Sequence, residues 1–466
     1  MLFSSITFLY YFLPVVLFLY YLLPGFLKNA WLLLASLFFY GWGEPVFVLW
    51  MILAILFAYL AGFLIEKYRK STKGRWVFYV SVIISIGYLG VFKYADFFME
   101  NINQLSGLNL PLPGIGLPIG ISFYTFQLLS YLIDVYRGNV CARKDLISFA
   151  LYISMFPQLI AGPIVRYIDV EKQLDKREIH WNNIGEGMGR FILGLSKKVI
   201  LANPLGELCE IVKVSSDLSV LYLWLYGICF SLHIYFDFSG YSDMAIGLGK
   251  MMGFHFIENF NYPFISKSIS EFWRRWHMSL GTWFRDYVYI PLGGNRVSIL
   301  RFCLNIFIVW FLTGFWHGAG WNFIFWGLFF GVLLVIEKFW LGKILAKGNY
   351  LNHIYVLFFI IISFVIFDGT DSERLIYYLK GMFGAAGLPM ISKEFLYYVR
   401  HYGVLIGLSC VASLPLGKKL YTMIKDAIGK KWWIEMLEAV GLTFLLIVVS
   451  AYLVDGSFNP FLYFRF

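Results

Sequence analysis

Apolar runs long enough to cross a bilayer recur along most of this chain, and the polar residues between them fall in short stretches punctuated by proline and glycine. A spanning helix takes about 20 mostly apolar residues, and on that measure the chain makes roughly eleven crossings, with shorter buried or re-entrant pieces besides. Residues 1–66 hold about two or three of them, broken at Pro14, Pro24 and Gly41-Trp42-Gly43-Glu44-Pro45, where proline removes a helix donor and glycine permits a turn. Residues 76–93 make another, and 101–118, rich in Asn, Gly and Pro, reads as a loop leading into 119–133. Pro157 and Pro163 break the next helix, and 166–180, with Asp169, Glu171, Lys172, Asp175, Lys176, Arg177 and Glu178, reads as a solvated loop. About two or three spans follow between 184 and 252. Residues 259–294 are then too polar for a lipid-facing helix, and such a segment at membrane depth must be buried in protein or line a wet cavity. Apolar runs resume at 302–315, 321–336, 355–367, 395–414 and 437–454.

The pattern predicts an all-α polytopic integral membrane protein forming a single domain over 1–466, with N-terminal helices in 1–255, a core in 256–341 and C-terminal helices in 342–466. No repeat of fixed period is visible, nor the matching pair of broken helices that many transporters carry. Composition agrees: 60% of residues are hydrophobic and 14% charged, against about 25% charged in soluble domains. The net charge of +10 sits in short loops, which points to membrane topology and away from nucleic acid. Lys67, Arg69, Lys70, Lys73 and Arg75 form one cluster and Lys418, Lys419, Lys425, Lys430 and Lys431 another, both assigned to the cytoplasmic side. Five scattered cysteines show neither metal nor disulfide spacing. Residues 1–23 lack a basic leader and a cleavage site, and read as a retained first span.

On a helix turning about 100° per residue, residues 272–287 put Trp273, Trp276, Leu280, Trp283 and Tyr287 on one face and Arg275, Ser279, Thr282 and Asp286 on the other. That predicts an amphipathic helix in or just below the interface, with His277 on the border about 40° from Trp273. The second candidate is His317, in Thr313-Gly314-Phe315-Trp316-His317-Gly318-Ala319-Gly320-Trp321 between two apolar runs, where an ionisable side chain marks a site unless it merely bonds two helices. Gly314, Gly318 and Gly320 allow backbones or a thin substrate to come close. His180, His353 and His401 read as solvated, His233 and His255 as packed. Asp237 and Asp243 need partners, for which Arg274, Arg275 and Arg285 are candidates. These five residues, with Asn259, are the candidate lining of a substrate channel or donor site. There is no nucleotide-binding glycine pattern, no zinc H-E-x-x-H and no G-x-S-x-G elbow. Two histidines in a buried polar setting suit general-base acyl transfer, and equally a proton relay in a transporter or flippase.

Several segments resemble one family. They are Glu271-Phe272-Trp273-Arg274-Arg275-Trp276-His277-Met278-Ser279-Leu280, Trp283-Phe284-Arg285-Asp286-Tyr287, Pro291-Leu292-Gly293-Gly294-Asn295-Arg296 and Trp316-His317-Gly318-Ala319, with Tyr235-Phe236-Asp237-Phe238-Ser239-Gly240-Tyr241-Ser242-Asp243 and Leu117-Pro118-Ile119-Gly120 upstream and Asn459-Pro460-Phe461-Leu462 at the end. The chain resembles the membrane-bound O-acyltransferases, in the branch of the alginate O-acetyltransferase membrane subunit. Gln158 departs from that branch, which has histidine before Leu-Ile-Ala-Gly-Pro. The resemblance implies a ring of helices around a central funnel, with His317 as the essential histidine and His277 as the second functional one. It also implies no bound cofactor and an acyl thioester donor such as acetyl-CoA taken from the cytoplasm. An extracytoplasmic acetyltransferase partner would complete delivery to an exported polysaccharide, from a multi-pass position in the bacterial cytoplasmic (inner) membrane. D-alanyl transfer to teichoic acid by the same fold is the alternative.

Overall fold

Helix follows helix through the computed structural model, which describes residues 1–348, 350–429, 432–456 and 458–459. The helices used below are α1 (Phe8–Leu22), α2 (Gly25–Gly43), α3 (Phe47–Tyr68), α4 (Thr72–Ser106), α5 (Ile121–Arg137), α6 (Leu146–Ser154), α7 (Tyr167–Asp175), α8 (Trp181–Ser196), α9 (Asn203–Val214) and α10 (Val220–Met251). After the polar segment come α11 (Ile269–Arg275), α12 (Met278–Phe284), α13 (Ile299–His317), α14 (Trp321–Leu345), α15 (Tyr350–Asp368), α16 (Ser372–Met382), α17 (Lys393–Ala412), α18 (Leu416–Ile428) and α19 (Trp432–Asp455). Among the described residues eight of these, α3, α4, α10, α13, α14, α15, α17 and α19, are long and apolar enough to cross a membrane. The chain is thus a multi-pass membrane protein. The remaining apolar runs form α1, α2 and α5, which are shorter or less apolar than those eight.

The residues group into two compact units. The first comprises Met1–Phe191, Ser242–Glu258 and Arg285–Tyr287; the second comprises Ile192–Tyr241, Asn259–Phe284 and the described part of the chain from Val288 onward. In the first unit a knot of phenylalanines fills the space between α1 and α2: Phe3, Phe8, Phe12, Phe39 and Phe156 pack with ring centroids such as 4.8 Å for Phe3–Phe8 and 5.5 Å for Phe12–Phe156. Buried almost along its length, α5 sets Tyr131 against Phe149 of α6 and Tyr167 of α7.

Residues 166–180, expected as a solvated loop, instead contain α7, which buries Tyr167, Val170 and Leu174. Their spacing of three and four puts them on one helix face, and the acidic and basic residues between them take the outer side. The first basic cluster lies where α3 passes into α4; Lys418, Lys419 and Lys425 lie on α18, while Lys430, Lys431 and the motif residues Pro460 to Phe466 are outside the described residues.

In the second unit, α13 and α14 form an antiparallel pair pressed together at two glycines. A Cβ on Gly314 would stand 2.2 Å from the Phe323 carbonyl oxygen, and one on Gly327 2.2 Å from that of Trp310. Small residues admit such contact between membrane helices. Beside it Trp273 lies 4.7 Å from Phe330 and 4.8 Å from Trp310, an aromatic core that anchors the polar segment.

Candidate active site

The polar segment does not form the continuous helix over 272–287 that its periodicity suggests. Helix α11 stops at Arg275, His277 adopts a left-handed backbone with φ 46°, and α12 starts at Met278. The reason lies in residues 259–261, which run alongside and take over hydrogen bonds that a helix would keep for itself. Asn261 N donates to Arg275 O at 2.9 Å, Met278 N donates to Asn259 O at 3.0 Å, and Phe260 and Trp276 form an antiparallel bridge. Helix α11 is fixed at its start by Ser268, whose hydroxyl accepts from Glu271 N at 3.0 Å, and by the buried Glu337 carboxylate, which accepts from Ile269 N and Ser270 N at 2.5 and 2.9 Å. Carboxylate at a helix start satisfies N–H groups that have no partner inside the helix.

The break turns His277 inward. It is 2% exposed, and its ring meets Phe238 of α10 edge to face at 4.6 Å and Trp316 of α13 at 6.1 Å. Asn259 holds it from below: the Asn259 side-chain oxygen lies 3.1 Å from His277 Nδ1, 2.9 Å from Ser279 Oγ and 3.3 Å from Ser279 N. Burial, and after it the nearby His317, push the His277 imidazole well below the usual histidine range, so that the ring is neutral at neutral pH. Ser279, placed by the helical wheel on the polar face, is buried in this cluster.

His317 closes α13, 5% exposed, with its ring 5.0 Å from Trp316, 5.1 Å from Trp326 and 5.3 Å from Phe367, all three edge to face. Asn322 fixes that wall by donating from its side-chain nitrogen to Phe367 O at 2.8 Å. Both histidines therefore sit in the second unit and share Trp316 as a neighbour. Together they line a buried, ring-walled place where a base can take a proton away from bulk water.

Residues 142–370, which contain both histidines, match the model of the membrane-bound O-acyltransferase family. The probable alginate O-acetylase AlgI of Pseudomonas aeruginosa is 44% identical over 381 residues, covering 80% of this chain and 73% of the relative. A peptidoglycan O-acetyltransferase of Helicobacter pylori is 34% identical over 439 residues, or 84% and 82% of the two chains. The teichoic acid D-alanyltransferase of Bacillus subtilis is 30% identical over 308 residues, or 63% and 74%. The chain belongs to the membrane-bound O-acyltransferase family. It is an acyltransferase, and its two inward histidines fall in the part that the family shares.

The other candidate residues of this acyltransferase have different surroundings. Asp237 is paired with Lys198 at 2.5 Å, both fully buried, and Asp243 with Arg190 at 2.8 Å. The partners expected from the sequence, Arg274, Arg275 and Arg285, are not the ones these aspartates take in their ion pairs among the described residues. Arg275 bonds Glu271 at 2.9 Å and Asn261 O at 3.1 Å, and Arg285 pairs with Asp286 at 2.7 Å in the first unit, where Arg166 holds the same carboxylate at 2.8 Å. These two guanidiniums keep the Asp286 carboxyl below the ordinary range against the opposing effect of burial. Arg274 is exposed and, among the described residues, makes no ion pair.

Lys198 and Arg190 were the missed residues, and a signal for the first existed. Lys198 stands in an apolar stretch, in a π-helical turn between α8 and α9, where a cation demands a buried counter-ion. His233 is packed as expected, bonding Ala202 O at 2.8 Å, but His255 is exposed. His180 and His401 are exposed, while His353 is half-buried and bonds Ser266 O at 3.2 Å. Gln158, at the position that departs from the alginate branch, is buried and donates to Tyr152 O at 2.6 Å.

Proposed function

We propose that this acyltransferase moves an acetyl group from a cytoplasmic thioester donor, acetyl-CoA or another acyl thioester, across the bacterial inner membrane for O-acetylation of an exported cell-surface polysaccharide such as alginate. The observation that carries the reading is the convergence of His277 and His317 on Trp316 in a buried aromatic setting. The names of the relatives support the acetyl group: the alginate and peptidoglycan O-acetylating proteins are 44% and 34% identical to this chain, the D-alanyltransferase 30%.

In this reading His317 removes the proton of the acceptor hydroxyl as that oxygen attacks the thioester carbonyl. A C–O bond forms, the C–S bond breaks, the thiolate leaves and the proton passes from imidazole to the departing sulfur. His277 assists. Arg274, exposed on α11, is the arginine best placed to meet donor phosphates, since guanidinium suits phosphate and this one makes no ion pair among the described residues. An extracytoplasmic acetyltransferase partner completes transfer to the polymer.

A strain lacking this protein should export polymer with a normal backbone and reduced ester acetate, measured after mild alkaline release. Unchanged acetate on every exported polymer would refute the acetyl reading. Loss of ester-linked D-alanine in its place would establish the teichoic acid alternative.

A further inference from the structure

The contacts around Asn259 settle which nitrogen of His277 carries the proton. A backbone N–H can only donate, so the Asn259 atom that lies 3.3 Å from Ser279 N is the amide oxygen and not the nitrogen. That oxygen is an acceptor only, and therefore its 3.1 Å partner, His277 Nδ1, is the donor. The neutral ring then has its lone pair on Nε2, a buried atom with no hydrogen-bond partner among the described residues. The same asparagine shapes the backbone: its carbonyl accepts from Met278 N at 3.0 Å and fixes the left-handed turn at His277 that aims the ring inward.

We propose that Asn259 is the positioning residue of His277, holding it as the Nδ1–H tautomer so that it assists acyl transfer as a proton acceptor at Nε2. The inference rests on the acyl-transfer reading above. In the step, the acceptor O–H bond breaks, the proton moves within the histidine pair to Nε2, and it leaves with the thiol after the C–S bond has broken. Around the ring, the 259–261 segment contributes Asn259, α10 contributes Phe238, α12 Ser279, and α13 Trp316 and His317. His317 is the titratable group whose charge His277 feels.

The test combines tautomer and pH profile in the full-length protein. In histidine-labelled protein in lipid nanodiscs, with His277 assigned by its disappearance in His277→Asn, nitrogen NMR at neutral pH should show Nδ1 protonated and Nε2 bare. A protonated Nε2 would overturn the proposal without any variant having to fold.

In inverted membrane vesicles supplied with radiolabelled acetyl-CoA, Asn259→Ala at matched protein level should lower kcat by about 10- to 100-fold, the scale for losing a group that orients a reacting histidine, with KM changed less than about two-fold. Asn259→Asp keeps the acceptor and adds charge, which stabilises imidazolium, and should move the acid limb of the kcat profile up by about one pH unit or more. An unmoved limb with wild-type kcat in both variants would refute the role of Asn259. Wild-type turnover by His277→Asn, whose side chain tolerates the left-handed backbone, would instead refute the part given to His277 in the acyl-transfer reading.

Discussion

Charged groups in the first unit are answered by opposite charges, whereas the two histidines of the second are answered by rings. Arg166 holds Asp169 and Asp286, each at 2.8 Å, and Arg190 holds Asp243 and Glu258 at 2.8 and 2.5 Å. Such carboxylates are engaged as acceptors of charged hydrogen bonds, which suits them to holding helices in place and unsuits them as bases. His277 and His317 meet the rings of Phe238, Trp316, Trp326 and Phe367, and burial among them favours the neutral imidazole of His277. Groups of equal polarity thus take different work from their neighbours, and substitutions in the two regions should fail in different assays.

The largest effect belongs to the histidines. His277→Asn and His317→Gln should each lower acyl transfer by about two orders of magnitude or more, with expression near wild type. The double variant should be little worse than either single one, because residues that act as a unit are not additive. Multiplying losses would show two independent roles.

Next in size is the buried ion pair. Lys198→Met removes the buried counter-ion of Asp237 and should destabilise the protein by about 3–5 kcal/mol, while Lys198→Met with Asp237→Leu should recover most of it; denaturant titration in detergent reads both. Failure of the second change to rescue would mean that the pair does more than balance charge. Arg190→Gln strips Asp243 and Glu258 of a shared partner, but in a partly exposed site. It should reduce stability by about 1–2 kcal/mol, between the exposed and buried limits, and leave turnover per folded molecule near wild type. A loss of turnover without loss of folded protein would move Asp243 back among the residues lining a substrate channel or donor site.

The smallest effect is on stability against pH. With its pKa lowered by burial, His277 stays neutral in the folded protein while an unfolded histidine takes up a proton near pH 6.5, as reference peptides do, about one proton's difference. Its contribution is intact above that pH and is lost as pH falls from there toward the lowered folded value. The melting temperature of the wild type should therefore fall more steeply below about pH 6.5 than that of His277→Asn. Parallel curves would show that His277 is solvated in the native protein.

The membrane-spanning class was legible because apolar runs of spanning length admit one interpretation, and His317 stood out as a lone histidine among glycines. What escaped the sequence was set by contacts distant along the chain. Asp237 finds Lys198 and Asp243 finds Arg190 on other helices, so nearby arginines in the motif made misleading candidates. The helical wheel over 272–287 failed at one residue, since nothing in its periodicity shows that Asn259 will claim the N–H groups of Met278 and Ser279. The buried face of α7, by contrast, was readable in the spacing of Tyr167, Val170 and Leu174, and was hidden only by the charges between them.

The central claim, that an acyltransferase uses His317 as a base and not as a bridge between helices, is tested most directly by acyl transfer in His317→Gln at matched protein level, with His317→Ala beside it. Glutamine keeps hydrogen-bonding capacity but cannot accept a proton near neutral pH. The account predicts that both variants insert normally and that both lose about two orders of magnitude or more of transfer. Near-normal transfer by His317→Gln, with His317→Ala destabilised, would contradict it and leave His317 a structural hydrogen-bonding group.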